Sequence, residues 1–388
     1  MANPTRNVCE QHTAYLFDRG GLTRITELGP MVSCAWQRIR DDVSKASIVL
    51  ASPECAINVA QIEAGRHELV IYRGTQRIWE GPITLVIFER GQVTIEARDV
   101  MHYVYRTIMK AAYNNAYPNV VTGVQRARNI LAGELPRGEA LNPPRNVLPF
   151  LVTYHHADDA RTSRNTIPFQ KTAFDDIDDM AAKSGIDYTV VGRAIHIHDT
   201  HVPLGRTSAL TEADIIGDVI VTQYGMEMAT FAAVTGGNGM YGYAAVRGSS
   251  SSGVHPYYGI WEILDDAYDE DEGGEPPTQN ELNSQAIRNL SGRMPTPVTV
   301  RIPDGSTLSP TSPVTIDDLV PGVQVPLLAT LTGRRFSQMQ KLDRLDVVED
   351  QNGEQVKITL SPESENAVDP EGFAALSAGV TKVVGAGG

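Results

Sequence analysis

Residues 67–99, HELVIYRGTQRIWEGPITLVIFERGQVTIEARD, decide the fold of this chain. Runs of alternating apolar and polar residues are separated by two short turns, Arg73-Gly74-Thr75 and Glu89-Arg90-Gly91-Gln92. Such alternation around a glycine is typical of antiparallel hairpins. Upstream, residues 36–50, WQRIRDDVSKASIVL, predict two further strands joined by a turn. The whole segment therefore predicts a small antiparallel β-barrel.

The composition is that of a globular chain with many turns. The chain has 388 residues, of which 41% are hydrophobic and 21% charged. At about 150 residues per domain this length predicts roughly two to three domains. The 34 Gly and 23 Pro residues favour short strands over long helices, so we expect a mainly β protein.

Charge, cysteine content and hydropathy restrict the partners and the compartment. Acidic residues outnumber basic ones 47 to 33, a formal charge of −14, which disfavours sequence-specific nucleic-acid binding. Cys9, Cys34 and Cys55 are odd in number and lack metal-site spacing, so a reducing cytosol is expected during maturation. The N-terminus has no signal-peptide core, and the longest apolar run, residues 83–88, is too short for membrane insertion.

A small α/β unit is predicted from residue 100 to residue 205. It comprises helices at 99–115, 121–132 and 173–183, a surface loop at 133–164, and a hairpin that turns at Gly192. The third helix has a clear start and stop, because Thr172 can cap its N-terminus and Gly185 can end it.

Strands resume after residue 218 and continue to the C-terminal region. Three of them are DVIVTQYG, MATFAAVTG and MYGYAAVRG, which begin at residues 218, 228 and 240. A helix is predicted after Thr278, with Glu281 in a capping box and Leu282, Ala286 and Leu290 on its apolar face. A last hairpin turns at Asn352-Gly353.

The order of these features resembles a known family. It combines the strand with Trp36, an Arg-Asp-Asp-x-Ser-x-Ala turn at residues 40–46, a Tyr-Arg-Gly hairpin at 72–74 and Trp-Glu-Gly-Pro-Ile at 79–83. Asp-Leu-Val-Pro-Gly-Val-Gln-Val, residues 318–325, fits the turn that opens the closing barrel of that family. The chain thus resembles the tail hub (baseplate hub, minor tail) proteins of siphoviruses, especially actinobacteriophages.

The resemblance implies a fold: mainly β with α/β insertions, containing two tail-tube-like β-barrels and small α/β domains. The implied division is 1–99 with 206–226 for the first barrel, 100–205 for the inserted α/β domain, 227–262 with 322–365 for the second barrel, 263–321 for an inserted helical segment, and 366–388 for a C-terminal tail.

The resemblance also implies a role and a location. Family members form a homotrimer at the virion tail tip that adapts a six-fold tube to a three-fold tip and lines part of the DNA ejection channel. The implied partners are further copies of the chain, the distal tail or tube ring, the tape-measure protein, and fibre or spike proteins. Assembly is expected in the host cytoplasm. The acidic residues 265–275 are a candidate for the channel wall or rim, and a solvated outer loop is the alternative.

Several patterns that could carry chemistry have structural interpretations. Gly237, Gly239 and Gly242 match Gly-x-Gly-x-x-Gly, but a strand follows where a dinucleotide site needs a helix. The remaining candidates are His155, His156, His196, His198, Asp199 and His201 for a metal; Asp175, Asp176, Asp178 and Asp179 for paired acids; Asp269, Asp271 and Gly273 for calcium; Ser249–Ser252 for a nucleophile; and Trp36, Trp79 and Trp261 for sugar stacking.

The metal, paired-acid, calcium and nucleophile candidates each lack a feature that their chemistry requires, and packing is the favoured role of the tryptophans, with carbohydrate recognition as the alternative. The histidines lack a Cys or Glu partner, the aspartates share one short helix, and the calcium pattern has Gly273 and Asn280 where ligands are needed. We therefore assign no catalytic, cofactor-binding or metal-binding residue, no cofactor and no enzymatic activity. The alternatives are a tail-associated cell-wall hydrolase, for which the C-terminal extension is too short, and a carbohydrate-binding tail protein.

Overall fold

The computed structural model describes residues 11–51, 62–114, 121–136, 151–154, 161–162, 165–200, 202–223, 225–236, 239–246, 254–266, 279–290, 293, 298–303, 306–331 and 333–362. Within these ranges no helix is long and apolar enough to cross a membrane. Several sequence predictions fall outside these ranges. They concern Cys9, Cys55, His155, His156, His201, Gly237, residues 249–252, most of the acidic run, the Thr278 cap and the tail 366–388.

Short strands dominate the described part, as the composition predicts. The strands are β1 His12–Phe17, β2 Arg24–Leu28, β3 Met31–Ile39, β4 Lys45–Ala51, β5 Glu68–Arg73, β6 Gln76–Glu89, β7 Gln92–Arg98, β8 Tyr113–Asn114, β9 Val121–Thr122, β10 Leu151–Tyr154, β11 Arg161–Thr162, β12 Asn165–Thr166, β13 Ile186–Val191, β14 Ala194–Asp199, β15 Leu210–Thr211, β16 Ile215–Ile216, β17 Ile220–Gln223, β18 Phe231–Thr235, β19 Tyr241–Ala245, β20 Glu262–Asp266, β21 Val298–Arg301, β22 Thr307–Leu308, β23 Gln324–Leu331, β24 Arg334–Asp350 and β25 Gly353–Pro362. The helices are α1 Met101–Tyr105, α2 Gly123–Glu134, α3 Ala173–Ser184 and α4 Gln279–Leu290, with 3-10 turns at Glu212–Asp214 and Gly225–Glu227.

The chain divides into two units. The first contains the described residues of Met1–Ser208, Gly305–Gln324 and Leu342–Thr359. The second contains those of Ala209–Asp304, Val325–Lys341 and Leu360–Gly388. The long strand β24 therefore begins in the second unit and ends in the first.

The first unit is built on one antiparallel sheet with the strand order β24-β3-β4-β7-β6-β5-β1-β2, and β25 pairs with β24. The predicted hairpins β5–β6 and β6–β7 are both present, with Gly74 and Gly91 in their turns. Gly81 lies where β6 changes partner from β5 to β7, and a Cβ there would lie 2.7 Å from the Cα of Asp99. Glycine is needed because the backbones approach so closely. The described strands form an open path, so they do not by themselves establish a closed barrel.

The α/β part of the first unit packs helices α1, α2 and α3 against the β13–β14 hairpin. Thr172 and Asp175 form the capping box of α3, and Gly185 ends the helix in the left-handed conformation. This confirms the predicted start and stop of the helix. The shared core includes Ile130, Ile177, Tyr188 and Ile197, all fully buried.

One predicted helix is much shorter than its pattern suggested. The sequence predicts a helix over residues 99–115, but α1 spans only Met101–Tyr105. Beyond it, the backbone of Met109 hydrogen-bonds to Phe169 and Lys171. The prediction failed because the helical apolar face is not buried beyond α1: Ile108 is 51% exposed, and Met109 is buried in the extended segment instead.

In the second unit, α4 covers one face of the three-stranded sheet β19-β18-β20. Leu282, Ala286 and Leu290 are buried, which confirms the predicted apolar face of the helix. A Cβ on Gly242 would lie 2.5 Å from the backbone N of Asn283 and 2.6 Å from the backbone O of Leu282. Only glycine lets the helix approach β19 this closely.

Two strand assignments differ from the prediction. β17 was expected to return to the first barrel, but it pairs with β21, and both strands belong to the second unit. The closing strands were expected in the second barrel, but Arg344–Glu349 of β24 pair with β3 in the first unit. Alternation of apolar and polar residues predicts that a strand exists but does not identify the strand it pairs with. The hydrogen bonds between paired strands are made by backbone groups that all residues share.

Candidate functional site

The histidine candidates on β14 have structural surroundings. His198 is fully buried, and its Nδ1 lies 2.9 Å from the backbone oxygen of Asp199 and 2.8 Å from that of Val202. His196 lies on the same strand, opposite Thr189 of β13. Over the described ranges no group of three or more His, Cys, Asp or Glu side chains could hold a metal ion.

The four aspartates of α3 each have a protein partner. Asp176 is buried and accepts hydrogen bonds from the guanidinium of Arg126, which is itself fully buried, at 3.0 and 3.3 Å. The other partners are Thr172 N for Asp175, Tyr188 Oη for Asp178 and Lys171 Nζ for Asp179. Asp175 therefore caps the helix, and the other three carboxylates are paired with other side chains.

The remaining sequence candidates also have packing roles. Gly242 lies on strand β19, so the helix that a dinucleotide site needs does not follow it. Trp36 and Trp79 are buried, which leaves Trp261, 42% exposed, as the tryptophan that could contact a ligand.

The first buried polar cluster of the first unit joins β1 to β24. Glu349 accepts hydrogen bonds from the backbone N of Gln11 and His12, each at 3.0 Å, and lies 2.5 Å from His12 Nδ1. The other ring nitrogen, His12 Nε2, accepts a hydrogen bond from Trp36 Nε1 at 3.0 Å. The sheet therefore curls far enough for strands distant in its order to meet through side chains.

This His–Glu pair cannot act as a general base. A catalytic imidazole needs one nitrogen free to take the proton of a nucleophile. In His12 one nitrogen is bound to a carboxylate and the other to an indole N–H, and the residue is 1% exposed. The pair therefore holds two strands together.

The second buried cluster attaches the β13–β14 hairpin to the sheet. Arg193 Nη1 lies 2.6 Å from Glu68 Oε2 and 2.7 Å from Glu80 Oε2, and Arg193 Nη2 lies 3.1 Å from Glu68 Oε1. Tyr103 Oη donates to Glu68 at 2.7 Å, and Arg77 donates to Glu80. One guanidinium thus bridges two carboxylates that are 0% and 2% exposed.

Burial sets the direction of the pKa shift for two groups of this cluster, Glu80 and Tyr103. It raises the pKa of Glu80, although the charges of Arg193 and Arg77 oppose the shift. Burial and the charge of Glu68 raise the pKa of the Tyr103 hydroxyl, so this group remains protonated. Because both carboxylates are enclosed and bound to Arg193, they cannot flank a substrate bond as an acid and base pair would.

A third buried carboxylate, Asp99, supports the start of α1. Its oxygens accept hydrogen bonds from Ser44 N at 2.6 Å and from Met101 N at 2.9 Å. Burial raises the pKa of Asp99 to about 6, although these hydrogen bonds favour the ionised form.

Sequence reasoning missed these clusters, but a signal was present. Glu349 occupies a buried position in the alternating part of β24, and Glu68 and Glu80 lie in continuous buried stretches of β5 and β6. Charged residues at such positions are rarely buried unless paired, so each one indicates an unseen partner.

Comparison with known proteins adds evidence from the fold. No protein-family profile matches the chain, and no curated protein matches it by sequence. Solved structures do match. A 43 kDa tail protein of prophage MuSo2 from Shewanella oneidensis has 12% identity and a TM-score of 0.54, covering 90% of this chain and 98% of that one.

Two further structures match over similar lengths. A tail protein from Neisseria meningitidis MC58 has 11% identity and a TM-score of 0.55, covering 92% of this chain and 98% of that one. Prophage tail protein gp18 from Listeria monocytogenes EGD-e has 10% identity and a TM-score of 0.53, covering 95% and 99%. At such identities the likeness shows the fold alone. This chain has a mainly β fold similar to that of phage tail proteins.

Proposed function

We propose that this protein is a structural component of a bacteriophage tail, and specifically the hub at the tail tip. The observation that carries the proposal is the fold match, which extends over 90% to 95% of the chain for three tail proteins. It also covers 98% to 99% of those three proteins. The order of sequence motifs resembles siphovirus hub proteins independently of the fold.

The proposed assembly is a homotrimer in which each chain contributes two tube-like barrels, giving a three-fold tip compatible with a six-fold tube. The curled antiparallel sheet of the first unit supports one barrel, with His12 and Glu349 joining its distant strands. We propose that residues 342–359 also belong to this barrel, and the pairing of β24 with β3 supports this boundary. Strands of the second unit supply the other barrel, and the α/β part around α3 is the insertion.

The proposed partners follow from this position. The trimer contacts the distal tail or tube ring above, the tape-measure protein inside, and fibre or spike proteins below, after assembly in the host cytoplasm. We propose a structural rather than a catalytic role, since the buried carboxylates and His12 are all committed to protein partners.

The channel wall is proposed to be neutral or negative. Three chains carry 3 × −14 = −42 formal charges. Rings of Lys or Arg would bind DNA phosphates and slow passage of the polyanion, so a conduit benefits from their absence.

The test is the oligomeric state and symmetry of the purified protein. Light scattering after size exclusion is expected to give the mass of three chains, 3 × 42.2 = 126.6 kDa. Class averages from negative-stain electron microscopy are expected to show a three-fold ring with a central channel. A monomer at all concentrations, or a ring lined by basic side chains in a higher-resolution reconstruction, contradicts the proposal. Clearing of host cell walls by the pure protein contradicts its non-catalytic part.

A further inference from the structure

Among the described residues, α4 covers one face of the three-stranded sheet of the second unit, and large side chains on the other face are exposed, so we call this second face the bare face. Residues directly opposite each other on paired strands share a face. The register of β18, β19 and β20 therefore places Ala232, Val234 and Ile263 on the face that packs against α4. The other face carries Phe231, Tyr241, Tyr243, Glu262 and Leu264.

The bare face is aromatic and exposed. Tyr241 is 60% exposed, Tyr243 is 55% exposed and Leu264 is 77% exposed. The rings of Phe231 and Tyr243 lie nearly parallel, with centroids 5.9 Å apart, and the centroids of Tyr241 and Tyr243 are 6.4 Å apart. Three aromatic rings in contact and a bare leucine make a contiguous apolar surface, which on a folded protein is typical of an interaction site.

The charge of this sheet has one sign. The strands read FAAVT, YGYAA and EILDD, so they contain no Lys, Arg or His. Glu262 is exposed on the bare face, and the sequence DDAYDEDEGGE that starts at Asp265 also lacks basic residues. Aromatic rings attract cations through their electron-rich faces, and carboxylates do so by charge.

We propose that this bare face, defined by Phe231, Tyr241, Tyr243, Glu262 and Leu264, is a docking surface for a basic segment of another protein, with Arg or Lys side chains alternating with apolar ones. The cations stack on the tyrosines and pair with Glu262, and the apolar side chains cover Leu264. The face belongs to a single chain, so this inference does not depend on the trimer or on the proposed place in a tail.

Charge argues against two other ligands for the bare face, a second copy of the chain and a nucleic acid. A second copy packed face to face about a two-fold axis would oppose Glu262 with Glu262 on a face that has no basic side chain to pair with either. An anionic polymer such as a nucleic acid would meet carboxylates and no basic group on these strands.

The experiment measures binding of labelled peptides to the full chain by fluorescence polarisation. The probes are an eight-residue peptide of alternating Arg and Val and a matched peptide of alternating Glu and Val, with a chito-oligosaccharide as an unlabelled competitor. We expect binding of the basic peptide and none of the acidic one. The double variant Tyr241→Thr/Tyr243→Thr is expected to weaken binding about tenfold from the loss of two cation–π contacts, and Glu262→Lys is expected to weaken it similarly.

Matched controls separate this site from general attraction to an acidic protein. Phe88→Thr removes an aromatic residue of β6 that is 59% exposed, and Glu96→Lys reverses an exposed charge on β7. Both should change binding by less than about twofold. Threonine was chosen as the replacement because it has a high β-propensity and should preserve the strands. Thermal unfolding verifies that each variant folds.

Three outcomes would overturn the proposal. The tyrosine variant could bind the basic peptide as tightly as the wild type, which would assign the attraction to net charge alone. The oligosaccharide could displace the peptide, which would assign the face to a glycan. Sedimentation could show self-association that the tyrosine variant abolishes, which would assign the face to a second copy.

Discussion

Replacing Arg193 with Met tests whether the buried Arg193 cluster attaches the α/β part to the sheet of the first unit. The change keeps an unbranched apolar stem but leaves Glu68 and Glu80, 0% and 2% exposed, without their shared cation. Removing one partner of a buried ion pair costs roughly 3–5 kcal/mol. Glu68 keeps its hydrogen bonds from Gly20 N and Tyr103, so we expect the lower end, about 3 kcal/mol.

The predicted loss depends on pH with a defined sign. Burial already raises the folded-state pKa of Glu80, and removing the cation raises it further. The folded variant then binds more protons than the unfolded chain, so its stability falls as pH rises through that pKa. The destabilisation is therefore expected to be smaller at pH 5 than at pH 8.

Urea unfolding followed by tryptophan fluorescence measures this effect, because Trp36 and Trp79 are buried in the first unit. The matched control is Arg24→Met, which breaks an exposed pair with Glu27 at 3.4 Å and should cost less than about 1 kcal/mol. Equal losses for the two variants, or a loss at Arg193 that does not shrink at low pH, would refute the role assigned to the cluster.

Three further predictions concern single positions. Gly242→Ala should destabilise the second unit by about 1–3 kcal/mol, because the added methyl group forces α4 away from β19, and amide exchange in α4 should become faster. The control Gly205→Ala should be neutral, because a Cβ there meets nothing within 4 Å. Gly353→Val should cost about 1–3 kcal/mol because φ is +95° there, and unchanged thermal unfolding would show that the turn is not needed. Asp99, with a folded pKa of about 6 against an ordinary 3.8, should make stability fall by about 2 kcal/mol between pH 4 and pH 6, and Asp99→Asn should remove this pH dependence.

Local features were predictable because neighbouring residues determine them. The hairpin glycines at 74, 91 and 192 have positive φ, and the Thr172 cap, the Gly185 stop and the apolar face of α4 are present as the sequence indicated. Each depends on contacts within a few residues, so its energetics can be inferred from a short window.

The length of α1 and the partners of β17 and β24 were not predictable in this way. Around Met109 the chain is extended and hydrogen-bonds to the backbone of Phe169 and Lys171, and this long-range pairing buries Met109 while the helically spaced Ile108 stays exposed. The sequence interpretation gave the aspartates of α3 a structural role through the helix dipole, but it could not identify Arg126 as the buried partner of Asp176.

The amino-acid sequence by itself determined that this is a mainly β protein of short hairpins with capped helices, and the order of its motifs pointed to phage tail hubs. The tertiary structure decided which strands share a sheet and that Arg193 meets Glu68 and Glu80, residues separated by 125 and 113 positions. It also decided that Tyr241, Tyr243 and Leu264 share a bare face. Strand pairing uses identical backbone groups everywhere, so only the packing of the whole unit selects the partners and brings distant charges together.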